Sequence, residues 1–236
     1  MDLFPAIDLR AGRVVRMRRG DPGSELVYDP DPFAVARRYA EAGARWVHVI
    51  DLDRVFGFGE QTRLIAELAR GAGLRVQAGG GVDTVEHAAA VLASGVERVI
   101  VRAAAGGGPG GLEAFARRLG AERLALAVDA RGGLVELDGE GRTVSAVGLA
   151  RGAVRAGIRT VVYTDLGREG GLGGADVAGA AALSRDGGVA VIVSGGVSAL
   201  EDLRAIRDAG LAGAVVGRAL FEGRFSLREA LACSSS

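Results

Sequence analysis

The chain has no lysine: all 29 of its basic residues are arginine. Without a lysine amine the protein cannot form an imine with a substrate carbonyl, which removes the class I aldolase chemistries. Cysteine is almost as scarce. Cys233 stands alone in a terminal Ala-Cys-Ser-Ser-Ser run, so no disulfide can form within the chain, and residues 232–236 are expected to be a flexible tail. With that remote thiol and only two histidines, His48 and His87, neither zinc nor thiol catalysis is expected, and no metal or cofactor is assigned. Net charge is also missing, since 29 acidic residues balance the 29 basic ones. A neutral chain offers no general field to nucleic acid or an anionic membrane, so any anion must be bound locally. Neither a signal peptide nor an apolar run of about 18 residues is present, which predicts a soluble, cytoplasmic protein.

What the chain does have is a repeat. Residues 42–59 (AGARWVHVIDLDRVFGFG) align without a gap on 156–173 (AGIRTVVYTDLGREGGLG), an offset of 156 − 42 = 114 that pairs Asp51 with Asp165 and Gly59 with Gly173. Residues 80–101 align on 195–216 at 195 − 80 = 115, pairing Gly80 and Gly81 with Gly195 and Gly196. Units of this length are far too long for a solenoid. The chain reads as two fused halves.

Within the halves, short β-branched runs alternate with segments of helical period. The runs cover residues 3–7, 46–50, 75–78, 99–101, 124–128, 160–163, 189–193 and 214–216. The helical segments cover 32–42, 61–71, 84–94, 111–119, 148–156, 176–185 and 199–209. Such alternation predicts βα units on a parallel sheet. Eight of them in 236 residues match an α/β fold of a single (β/α)8 TIM barrel over residues 1–231, with half-barrels at about 1–120 and 121–231. An open doubly wound sheet is the runner-up, and the twofold repeat suits closure better.

Barrel enzymes act at the C-terminal ends of their strands. The first predicted strand ends in Asp8 and the fifth in Asp129, and in a ring of eight those strands face each other. An aspartate at one strand end commonly caps a turn or helix. An opposed pair suits acid–base catalysis, with one carboxylate ionised to take a proton and the other held neutral to give one. Glycines supply the second piece. Gly79-Gly80-Gly81 follows the third strand and Gly195-Gly196 the seventh, each just before a helix, where free amides bind phosphate. Either pair alone is also what an ordinary tight turn requires. Gly217 and Arg218 after the eighth strand add to the second pair in the manner of barrel phosphate sites. Two cradles half a ring apart imply a ligand with a phosphate at each end, hence a small-molecule bisphosphate partner and proton transfer on a sugar.

The stretches FPAIDLRAGRVVR (4–16), HVIDLD (48–53), GGGV (79–82), YTD (163–165), SGGV (194–197) and VGRAL (216–220) resemble the ProFAR isomerase family of histidine biosynthesis, and the likeness covers about residues 3–231. The resemblance implies an Amadori rearrangement without cofactor, in which an aminoaldose becomes an aminoketose. It implies Asp8 as the general base at C2, Asp129 as the general acid that opens the ribose ring, and Thr164 as a residue holding the sugar. His48 should point into the barrel near its mouth, either as a ligand contact or as a buried structural histidine. Arg19 could clamp substrate, or belong with Arg16 and Arg18 to a solvated charge run. Trp46 is assigned to packing and His87 to a helix surface. The chain is expected to be a monomer.

Three departures stand against the family pattern. Asp83 occupies a position where arginine is expected, Arg102-Ala103 replaces Gly-Thr or Gly-Ser, and Glu169-Gly170-Gly171 replaces Asp-Gly-Thr. The first two fall on one cradle, where Arg102 could serve as a replacement cation for phosphate. Other readings of the chain are a dual-substrate isomerase also acting in tryptophan synthesis, the related ammonia-using cyclase subunit, and a non-catalytic phosphometabolite-binding barrel.

Overall fold

The computed structural model describes residues 1–16, 22–104, 111–137, 140–168 and 173–235. Eight parallel strands close into a barrel. They are β1 (Asp2–Arg10), β4 (Trp46–Asp51), β5 (Arg75–Gly79), β6 (Arg98–Val101), β7 (Leu124–Arg131), β10 (Thr160–Asp165), β11 (Ala190–Ser194) and β12 (Gly213–Val216), and β7 pairs with β10 to complete the ring. The halves meet at two seams, β6 against β7 and β12 against β1.

Helices alternate with the strands: α1 (Pro32–Glu41), α2 (Leu52–Val55), α3 (Thr62–Gly71), α4 (Val85–Ala93), α5 (Leu112–Leu119), α6 (Ala146–Arg155), α7 (Val177–Gly187), α8 (Leu200–Asp208), α9 (Arg218–Phe221) and α10 (Leu227–Ser235). Their starts are written in the sequence. Pro32 opens α1 behind Asp31, whose carboxylate accepts from the Phe33 and Ala34 amides, and Thr84 and Ser145 cap α4 and α6 in the same manner. One apolar cluster fills the space between barrel and helices. A second lies inside the barrel, built from Phe4, Ala6, Trp46, Ile100, Ala125, Val162, Ile192 and Val215. It is a packed floor under the mouth, so chemistry is confined to the rim.

Each half carries an addition that the periodicity does not predict. β1 continues past Asp8, turns through Ala11 and Gly12, and returns as β2 (Arg13–Arg16), which pairs with β3 (Leu26–Asp29). β7 continues past Asp129, turns through Gly132 and Gly133, and returns as β8 (Leu134–Glu136), paired with β9 (Thr143–Ser145). All four turn residues have positive φ, the two-residue hairpin turn that matches strand twist. Alanine is unusual there. The Ala11 amide donates to the buried carboxylate of Asp53 (2.8 Å), which helps hold its φ of 47°.

Residues 232–235 form the last turn of α10, where the Cys233 carbonyl accepts from Arg207 (3.0 Å) and the Ser234 carbonyl accepts from the Met1 ammonium (3.2 Å). Carbonyls satisfied by cations explain why this end continues as helix.

Candidate active site

At the C-terminal ends of the strands lies a cavity of about 460 Å³. Asp8, His48, Gly80, Gly81, Arg102, Asp129, Thr164, Gly195, Gly196, Gly217 and Arg218 all line it. Arg19 lies outside the described residues.

Asp8 and Asp129 sit on strands four places apart in the ring of eight, and so on opposite walls. Their surroundings differ. β2 runs back along β1 and delivers Arg16 to Asp8, with Nη1 2.9 Å from Oδ2. The contact is a charge-assisted hydrogen bond, with the guanidinium donating to the carboxylate. Arg16 is thus not part of a solvated charge run. Its signal was the β-branched pair Val14-Val15 shortly after a glycine, which makes a hairpin strand.

Among the described residues, no arginine is bonded to Asp129. Its register partner on β10 is Thr164, 8% exposed, whose hydroxyl donates to the carboxylate. Burial pushes the Asp129 carboxyl above its ordinary range, against smaller downward pulls from the Thr164 bond and the Arg102 charge. The carboxylate keeps accessible surface, but that surface opens into the cavity, where a bound ligand takes the place of water. Raised pKa values of this origin mark proton donors.

His48 projects inward, as its strand parity requires, and is both buried (5% exposed) and in the cavity lining. Its Nδ1 lies 2.9 Å from Gln77 Nε2. Burial first, and then the Arg16 charge, depress its pKa to about 4, so it is neutral near pH 7. Gln77, fully buried, was not singled out from the sequence, because a lone polar residue in an apolar run carries no periodic signal.

The glycine pairs behave alike in backbone and differ in what closes them. Gly80, Gly81, Gly195 and Gly196 all have positive φ. A Cβ on Gly80 would stand 2.5 Å from the Asp51 carbonyl oxygen, and one on Gly196 2.4 Å from that of Gly174, so backbone proximity alone requires glycine at both. At the β5/β6 cradle, Arg102 Nη1 stands 3.6 Å from Asp83 Oδ1, an ion pair beyond hydrogen-bond length with both side chains about half exposed. At the β11/β12 cradle, Ser198 and Ala199 give their amides to Asp202, leaving Gly217 bare beside Arg16, whose Nη1 would be 3.7 Å from a Cβ there. The Arg218 guanidinium pairs with Glu222. Trp46 is buried in the floor, as assigned, and His87 is partly buried on α4.

Fold and site together define a (β/α)8-barrel protein with two opposed carboxylates at its mouth. The family model for histidine biosynthesis protein matches residues 2–226. The chain belongs to that family. It is 42% identical over its whole length to a protein of Moorella thermoacetica (99% of that protein covered) and 46% identical over 98% of its length to one of Symbiobacterium thermophilum (96% covered). Both relatives are named 1-(5-phosphoribosyl)-5-((5-phosphoribosylamino)methylideneamino)imidazole-4-carboxamide isomerase. Among the described residues, no helix is long and apolar enough to cross a membrane.

Proposed function

We propose that this chain catalyses the reaction for which its relatives are named: the aldose–ketose isomerisation of ProFAR, without a cofactor. One observation supports this most. The cavity holds two opposed aspartates in opposite company, Asp8 salt-bridged to Arg16 and Asp129 facing the cavity beside Thr164 with its pKa raised.

In the proposed sequence, neutral Asp129 donates its proton to the ribose ring oxygen. The bond from that oxygen to C1 breaks as the exocyclic nitrogen forms a double bond to C1. Ionised Asp8 then takes the C2 proton, and the electron pair moves to give an enaminol. The enol proton passes to the Asp129 carboxylate and the proton held on Asp8 returns to C1, which gives the aminoketose and restores both groups. Thr164 holds Asp129 and the sugar at the same register level. Arg16 holds the Asp8 carboxylate in place through their salt bridge.

The two phosphates rest on the cradles, one at Gly80 and Gly81, the other at Gly195, Gly196, Gly217 and the start of α9 at Arg218. At the first cradle Asp83 opposes a dianion, and the Arg102 guanidinium offsets it by bridging carboxylate and phosphate. Cytoplasmic location, a monomeric state and a single small-molecule partner belong to the same reading.

Turnover of ProFAR by the purified protein, with phosphate binding measured alongside, tests the proposal. Phosphate binding without turnover would favour a phosphometabolite-binding barrel, a reading to which the Asp83–Arg102 pair lends support by filling one cradle. Turnover of the tryptophan-pathway substrate in the same preparation would extend the proposal to two substrates.

A further inference from the structure

Behind His48 the barrel interior carries a polar row that the proton transfers above do not use. His48 on β4, Gln77 on β5 and Arg98 on β6 are register partners in sequence across three neighbouring strands. Polar groups in such a floor are costly unless bonded. Arg98 Nη1 stands 3.3 Å from Gln77 Oε1, and Gln77 Nε2 stands 2.9 Å from His48 Nδ1. The far end is held by aromatic contact, since the Arg98 guanidinium lies 4.9 Å and that of Arg75 4.2 Å from the centre of the Trp46 ring.

The row has a direction. Arginine has only donors, so the Gln77 atom facing it must be the carbonyl oxygen. The amide nitrogen then faces His48, and because it too only donates, Nδ1 must accept. A neutral imidazole that accepts at Nδ1 carries its proton on Nε2. With Nδ1 occupied, Nε2 is the ring nitrogen left to meet the cavity that His48 lines. The other half-barrel needs nothing of the kind: the matching row on β10, β11 and β12 is Val162, Ile192 and Gly213. A polar row across these three strands is therefore not a requirement of the half-barrel fold.

We infer that Gln77 and Arg98 are positioning residues that lock His48 as an Nε2–H donor aimed at an uncharged oxygen of the substrate sugar. The lock itself follows from the donor inventory, whereas the sugar acceptor rests on the isomerase reading. The groups facing His48 are Gln77, with Arg98 behind it, and the Arg16 guanidinium, itself paired with Asp8. Because His48 stays neutral near pH 7, its role is to donate a hydrogen bond and not to shuttle a proton.

The chain has only two histidines, so ¹⁵N NMR of the ligand-free protein with a His87→Gln variant for assignment reads the tautomer directly. The expected result is a proton on Nε2 of His48. Gln77→Glu is nearly isosteric and keeps a partner for Arg98, but its carboxylate accepts from His48. It should move the proton to Nδ1 and raise the His48 pKa. On ProFAR it should lower kcat/KM about tenfold to hundredfold and add an ionisation to the pH profile. A proton on Nδ1 in the unmodified protein would overturn the lock, and that spectrum decides even if the variant fails to fold. An unchanged kcat/KM with the tautomer reversed would overturn the role in substrate positioning. No ProFAR turnover by the unmodified protein would instead count against the isomerase reading, while the spectrum still decides the lock.

Discussion

The two half-barrels set an aspartate at the same place in the ring and then surround it differently. Each runs its first strand past the aspartate, turns through two residues of positive φ and returns as an antiparallel strand. In the first half that ribbon brings Arg16 back to Asp8, whereas in the second half Asp129 is left to Thr164 on the next strand. The cradles diverge in parallel: Asp83 and Arg102 close one, Gly217 leaves the other open. One scaffold thus gives a salt-bridged carboxylate and one whose pKa is raised. In the proposed mechanism the roles of acid and base would be set by neighbours a few ångströms away and not by the strand that carries them.

The largest effect should come from removing either carboxylate. Asp8→Asn and Asp129→Asn keep shape and polarity, and each should lower kcat on ProFAR by about 10²-fold or more. The double variant should lose much less than the product of the two. Full activity in either single variant would abolish the distinction between the halves. Next in size are the glycines. Gly196→Val forces a side chain into positive φ against the Gly174 carbonyl and should cost about 3 kcal/mol or more. Gly217→Ala has negative φ and ordinary contacts, with Cβ 3.4 Å from that of Ala6, so Tm should hold while bisphosphate affinity falls. Equal loss of Tm in both would show that the open cradle is only a turn.

A smaller effect belongs to the polar row, which exists in the first half alone. His48 has a folded pKa of about 4, below its unfolded value. The unfolded chain therefore binds a proton that the folded one refuses, so the stabilisation is present above the unfolded pKa and is lost as pH falls toward 4. Urea unfolding at about pH 7.5 and pH 5 should differ by on the order of 2 kcal/mol from this residue, and His48→Gln should flatten the difference. An unchanged slope would show that His48 is protonated in the folded protein. Smallest is Arg102→Gly, expected to weaken ProFAR binding roughly tenfold, with a shallower salt dependence. It also removes a charge that lowers the Asp129 pKa, so the alkaline limb of the rate profile should move to higher pH. Tighter binding in this variant would mean that Arg102 and Asp83 occlude the cradle.

Much of this was legible in the sequence because parallel barrel strands are continuous apolar runs and the helices carry period and caps. The eight strand positions, the inward parity of His48 and the opposition of Asp8 to Asp129 all follow from that rhythm. What the rhythm cannot carry is the company a side chain keeps. Arg16 read as one charge in a basic stretch until the Ala11-Gly12 turn folded it back, and alanine is a poor advertisement for positive φ. Gln77 was hidden inside a four-residue run, since nothing local says that its neighbours across two strands are a histidine and an arginine. The last turn of α10 was obscured by three serines, whose preference for caps and turns is overruled by contacts from Arg207 and Met1.

Trp46 is the sole tryptophan, and it lies in the floor of the first half, between Arg75 and Arg98. Its fluorescence therefore reports on the packed floor around β4, while far-UV circular dichroism averages over all eight strands. The two signals should change together on unfolding if the seams at β6/β7 and β12/β1 bind the halves into one cooperative unit. If they part, the fluorescence records when the floor around β4 lets go, and the molecule comes with its own reporter of whether a repeated barrel melts once or twice.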